Sequence, residues 1–137
     1  MLECEYYVCK SSWGVYVKII AEYIDYENND GNKAIKIGDG LWVKFAEKSI
    51  FEGEKFWEGD LSYIVEGLKV VENKIVERSK YCKTLIVLHS IQIAPCDFQE
   101  EGLTVAIIEW AARAFNFQAP KISVYFDKGS NRYIFEF

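Results

Sequence analysis

Hydrophobic and polar residues alternate through the first third of the chain. Val15, Val17, Ile19, Ala21 and Tyr23 hold one parity, and Tyr16, Lys18, Ile20 and Glu22 hold the other. A strand turns successive side chains to opposite faces, so a period of two predicts a sheet with one buried face. The segment "ENNDGNK" breaks the pattern. Its Asp30-Gly31 suits a turn with positive φ. Beyond it Ile35, Ile37, Leu41, Val43 and Phe45 again share a parity. That predicts one long strand, bulged or bent at Gly38 and Gly40.

The period then lengthens. In "EGDLSYIVEGLKVVENKIVERS" the apolar residues Leu61, Ile64, Val65, Leu68, Val71 and Ile75 recur at helical spacing, with Glu66, Lys69, Glu72 and Glu77 opposite. This predicts an amphipathic helix near Leu61–Ile75, with Asp60 as its N-cap. "KTLIVLHSIQI" returns to strand, with Leu85, Val87, Ile91 and Ile93 expected on one face. A second helix is expected from about Phe98 to Phe115. It is apolar nearly all round, as a central buried helix is, and Pro120 stops it. A hairpin is expected last: "KISVYF" alternates on Ile122, Val124 and Phe126, "DKGSN" turns, and "RYIFEF" alternates on Tyr133, Phe135 and Phe137.

The expected order is β-β-β-α-β-α-β-β. Two helices amid a mostly antiparallel sheet predict an α+β two-layer sandwich with both helices on one face. The other face, carrying Tyr16, Trp42 and Lys44, is expected to stay open. No linker or repeat divides the 137 residues, so residues 1–137 are expected to form a single domain.

Composition changes this picture in two ways. Aromatic residues reach 16%, more than a small core readily hides, so some are expected at the surface, where rings serve interfaces. The net charge of -5 disfavours nucleic acid and anionic membrane as partners, because both are held by Lys and Arg. The start, "MLECEYYVCK", has neither the basic nor the apolar region of a signal peptide, and no apolar run spans a bilayer. A cytoplasmic location is expected. Cys4, Cys9, Cys82 and Cys96 show no C-x-x-C spacing, so they read as reduced and mostly buried thiols, not as a zinc site.

Candidate chemistry concentrates in "IAPCDFQEEGLTVAIIEWAARAF", where Asp97, Glu100 and Glu101 precede the second helix. Asp97-x-x-Glu100 has the form of a capping box, and acids suit a first helical turn. That reading makes Asp97 structural and leaves Glu101 pointing outward. No calcium-loop spacing, phosphate loop or nucleophile elbow occurs, so no metal, cofactor or catalytic residue is expected, and the protein is read as a non-enzyme. His89, the only histidine, shares parity with Val87 and Ile91 and is expected on the buried face. A small hydrolase pairing a cysteine with His89 is the enzyme alternative.

Three segments, "EYIDYENND", "FEGEKFWEGD" and "CDFQEE", interleave acids with aromatic residues. Acids steer a basic partner and aromatic rings supply contact area. The expected partner-binding residues are Asp25, Glu27, Asp30, Glu54, Trp57, Glu58 and Glu101. This composition resembles that of bacterial immunity proteins, which neutralise toxins. A basic toxin enzyme, such as a nuclease, is the implied partner. The open face and the C-terminal edge strand leave room for a homodimer.

The layout also resembles the fourth domain of elongation factor G. The likeness runs through "YIVEGLKVVENKI" and "IAPCDFQEEGLTVAI", where Asp97 matches an Asp, Gly102 and Ala106 match small positions, and Leu103 matches an aromatic one. It implies a β-α-β arrangement and, as the alternative function, a stand-alone translation-factor-like or RNA- and ribosome-associated domain.

Overall fold

The computed structural model describes residues 1–27, 34–52, 58–94 and 97–137, with the side chains of 47–52 and 58–60 outside the description. The elements are β1 (Leu2–Cys9), β2 (Gly14–Asp25), β3 (Ile35–Gly38), β4 (Leu41–Glu52), α1 (Glu58–Arg78), β5 (Thr84–Ile93), α2 (Glu101–Ala114), β6 (Ser123–Asp127) and β7 (Arg132–Glu136). Five strands form a sheet in the order β1-β2-β5-β4-β3. Only β4 and β5 are parallel, because α1 carries the chain back between them. This is the α+β sandwich that the patterning predicts. The long strand expected across "GDG" is a hairpin instead. Its Lys36 pairs with Trp42, and Gly38 pairs with Leu41 around the Asp39-Gly40 turn.

Helix α1 begins two residues before the expected cap, so Asp60 lies inside its first turn. Since α1 follows β4 and α2 follows β5, both helices start at the same end of the sheet and run side by side in one direction. Thr104 Oγ1 donates to the Tyr63 carbonyl at 2.8 Å. A Cβ on Gly67 would stand 2.5 Å from Ile107 Cγ2 and 2.8 Å from the Thr104 carbonyl. The helices approach this closely only because Gly67 has no side chain.

The core joins Ile19, Leu41, Ile64, Leu68, Ile86, Leu88, Ile107 and Trp110, all fully buried. Strand β5 enters it in a way that strict alternation misses. The expectation placed Leu85, Val87, Ile91 and Ile93 together. The structure puts Ile86, Leu88, Ile91 and Ile93 against the helices and Leu85 and Val87 on the opposite face. The register against β2 slips where Ile20 pairs with Ser90 and Ala21 with Leu88, leaving His89 as the extra residue of a bulge. One extra residue exchanges the two faces of a strand from that point on. His89 therefore shares the face of Leu85 and Val87, away from the helices, and is not on the core face expected for it.

The expected C-terminal hairpin is present, and its register pairs Val124 with Phe135 and Phe126 with Tyr133. It forms a separate two-stranded sheet, and Tyr133 anchors it. Its hydroxyl accepts from the Lys10 N–H at 2.7 Å and donates to the Trp13 carbonyl at 2.6 Å. The Gln99 side chain makes two hydrogen bonds to the Tyr133 backbone, as a neighbouring strand would.

Candidate interaction surface

No described helix covers the second face of the sheet. On β1 the alternation of "LECEYYVC" turns Cys4 and Tyr6 to the core and leaves Glu3, Glu5 and Tyr7 outward. On β2 the outward residues are Tyr16, Lys18, Ile20 and Glu22. Register joins them into a patch. Tyr7 lies opposite Tyr16, with ring centroids 6.4 Å apart, and Lys18 lies opposite Glu5. Lys18 also pairs with Glu3, and that hydrogen bond holds its ammonium above the usual range. Tyr7 is 60% exposed. Tyr7 and Tyr16 thus stand at one end of the patch, and the carboxylates of Glu5, Glu3 and Glu22 follow along the strands, with Lys18 among them.

The far side of the same face is closed. Trp42 was expected to be open, yet it is only 9% exposed. Tyr26 stacks on it at 3.9 Å between centroids and 1° between planes, and Lys83 lies 6.0 Å from its ring. Tyr26, Ala34 and Ala46 complete a small second cluster over Leu85 and Val87. A large indole beside two buried aliphatic residues gains more from being covered than from solvent.

Between these regions His89 Nε2 comes within 3.2 Å of Glu22 Oε1, off the line of a hydrogen bond. Neither that nitrogen nor the Ser90 hydroxyl has a hydrogen-bond partner among the described residues. Cys9 sits at the Gly14 end of β2, about 20 Å along the strand from the bulge at ~3.3 Å per residue. Cys4 is buried on the helix face, and Cys82 precedes the far end of β5, about 16 Å down that strand from His89. Each of these three cysteines lies out of reach of His89. Cys96 lies outside the described residues. Cys9 and Cys82 are exposed, against the expectation of mostly buried thiols. Burial raises the Cys4 pKa, which suppresses its thiolate.

The acids before α2 have partners within the fold. Asp97 does not cap the helix. α2 starts at Glu101, its N-cap residue is Glu100, and no side chain caps it. The Asp97 carboxylate accepts instead from the Gly14 N–H at 2.8 Å, and its carbonyl accepts from the Tyr16 N–H at 2.8 Å. Asp97 thereby ties the start of β2 to the β5–α2 connection. The reason is local. A Cβ on Gly102 would stand 2.5 Å from Val15 Cγ1, so α2 presses its first turn onto β2 and brings Asp97 to Gly14. Arg132 reaches both remaining acids, at 3.5 Å from Glu100 and 3.4 Å from Glu101. Glu101 is thus an internal ion-pair partner as much as an outward one. Among the described residues no cluster of metal-ligating side chains occurs.

The expected partner-binding residues do not converge. Asp25 and Glu27 are exposed at the end of β2. Asp25 keeps the parity of Tyr23, so it belongs to the rim of the helix face. Glu101 lies beside the start of β2, about 36 Å away at ~3.3 Å per residue. Glu58 opens α1 at that same end, with its side chain outside the description. Asp30, Glu54 and Trp57 lie outside the described residues. Glu3, Glu5 and Tyr7 were missed, although the alternation of "LECEYYVC" carries the signal. No described helix is long and apolar enough to cross a membrane. Comparison with protein-family models and with curated proteins finds no match to this chain.

Proposed function

We propose that this chain is a protein-binding module that docks a basic protein on its helix-free sheet face. The reading that fits it best is a bacterial immunity protein, acting in the cytoplasm, that plugs the cationic active site of a toxin enzyme. One observation carries this: on a face that no described helix covers, Tyr7 and Tyr16 lie side by side at one end of a patch that continues along β1 and β2 through Glu5, Glu3 and Glu22. Carboxylates speed encounter with a cationic cleft, and flat aromatic side chains then slow release. A nuclease cleft is cationic because it holds phosphate, so an acidic plug matches its charge without being cleaved.

The test is purification of the complex from the native host, then association rates across a salt series for the wild type and a Glu3→Lys/Glu5→Lys variant. The expected partner is basic. Its association slows steeply with salt and at least tenfold in the variant. An acidic partner, or a rate indifferent to salt and to the variant, refutes the proposal. Tight, salt-sensitive binding to RNA would favour the RNA- or ribosome-associated function that the elongation-factor resemblance implies.

A further inference from the structure

A cleft of about 220 Å³ opens at the outer edge of β1. Tyr6 and Val8 of β1 form one wall, and Val105 and Glu109 of α2, one turn apart, form the second. The third wall is the arm that joins α2 to β6, through Ile122, together with Val124 of β6. A water occupies ~30 Å³ of liquid, so the space suits one unbranched side chain better than a lone solvent molecule.

Val8, Val105, Ala119, Pro120, Ile122 and Val124 supply the apolar lining, and Tyr6, Tyr7 and Glu109 bring the polar side chains, of which only the Glu109 carboxylate is ionisable to a charge at neutral pH. Glu109 interrupts a helix whose residues from Gly102 to Ile108 are all buried. A half-buried acid there is costly unless something compensates its charge. Burial raises its pKa, and Arg113, one turn on, only partly offsets this. Arg113 also lines a separate cleft beside Trp110. Burial, with the Glu109 charge adding to it, pushes the Tyr6 phenol up to about 12, so Tyr6 stays neutral and can accept a hydrogen bond. Lys10 is engaged with the Val124 carbonyl at 2.8 Å, and among the described cations only Arg113 acts on the Glu109 charge.

We propose that this cleft seats one lysine side chain of the protein partner, its methylenes against Val8, Val105, Ile122 and Val124 and its ammonium on Glu109. The proposal rests on the reading of the chain as a binder of a basic protein. Lysine fits better than arginine because its three donors match one carboxylate and one phenol oxygen. The same acceptors would leave two of the five donors of a guanidinium unsatisfied. An apolar ligand of the same length would leave the acid uncompensated.

The site can be tested without the partner. Nα-acetyl-lysine methylamide and its uncharged counterpart, Nα-acetyl-norleucine methylamide, are titrated into the 15N-labelled protein. The expected result is saturable shifts at the amides of Val8, Val105, Glu109 and Ile122 with the lysine compound. They should weaken at least tenfold with norleucine and in Glu109→Gln. Ala119→Leu, which fills the cleft and keeps the carboxylate, should abolish them. Equal responses to both compounds, or an undiminished response in Glu109→Gln, overturn the proposal. So does a basic partner that binds Glu109→Gln as tightly as the wild type, which leaves the docking function standing. Lysine binding here in a protein that captures no basic partner supports the site and defeats the docking function.

Discussion

The two faces of the main sheet use the same strands to different ends. Against the helices, Cys4, Val17, Ile19, Ala21, Leu88 and Ile91 lose nearly all contact with solvent. On the other face of the same strands, Glu3, Glu5 and Tyr7 stay exposed and Lys18 and Glu22 half-buried, and their contacts are a tyrosine pair, the Lys18–Glu3 ion pair and the approach of His89 to Glu22. Buried apolar area dominates stability, whereas exposed ion pairs contribute little. The covered face therefore holds the fold together and the open face is free to serve a partner. The Trp42–Tyr26 stack marks where the open face gives way to a second small core.

The sharpest way to break this contrast is to truncate one large side chain on each face. Trp110→Ala removes a fully buried ring and its hydrogen bond to the Leu2 carbonyl. It should cost about 3–5 kcal/mol in urea unfolding. Tyr7→Ala on the open face should change stability by less than about 0.5 kcal/mol while weakening partner binding. Comparable losses for the two would show that the open face is structural.

The next effect concerns the clamp at the β1–β2 turn. Tyr133→Phe leaves the Lys10 N–H and the Trp13 carbonyl without their partner, which should cost about 1–3 kcal/mol. Asp97→Ala should cost about 1–2 kcal/mol by freeing the Gly14 N–H. Amide exchange separates the two possible roles of Asp97. Gly14 should exchange faster in the variant while Gly102 and Leu103 stay as in the wild type. Faster exchange confined to the first turn of α2 would restore a capping role.

A smaller effect has a defined sign. Burial lifts the folded-state pKa of Glu109 above the ordinary 4.5. The stability tied to its protonated form is complete below that value and is lost as pH rises through the raised one. Glutamine cannot ionise. Glu109→Gln should therefore equal the wild type near pH 3.5 and exceed it at pH 7, by under about 1 kcal/mol. Urea midpoints at the two pH values check this, and a destabilised variant at pH 7 contradicts the assigned burial. The smallest effect belongs to the open face. Glu5→Lys should leave stability within about 0.5 kcal/mol of wild type and act on association rate alone.

Most of the architecture was legible in the chain. The period of two over Val15–Tyr23, the helical spacing from Leu61 to Ile75 and the C-terminal hairpin around "DKGSN" all appear where the pattern puts them. These are local consequences of how a backbone aims its side chains. The candidate site was much less legible. Asp97-x-x-Glu100 matches a helix cap in sequence, but spacing along the chain carries no information about Gly14, far away in the chain and adjacent in space. Glu100 and Glu101 looked free because their cation, Arg132, comes from the last strand. Parity failed in β5 because a bulge at His89 leaves no mark in the alternation of apolar types.

By itself, then, the sequence determined element type, element order and the two-layer α+β class. Hydrophobic period and chain connectivity are short-range properties that each segment expresses on its own. Tertiary structure decided which face Leu85 and Val87 occupy, whether Trp42 is open, what Asp97 binds, and that Glu3, Glu5 and Glu22 share a surface with Tyr7. Each depends on register and on contacts between distant segments. A one-residue slip or one close helix crossing redirects a side chain without changing the sequence that encodes it.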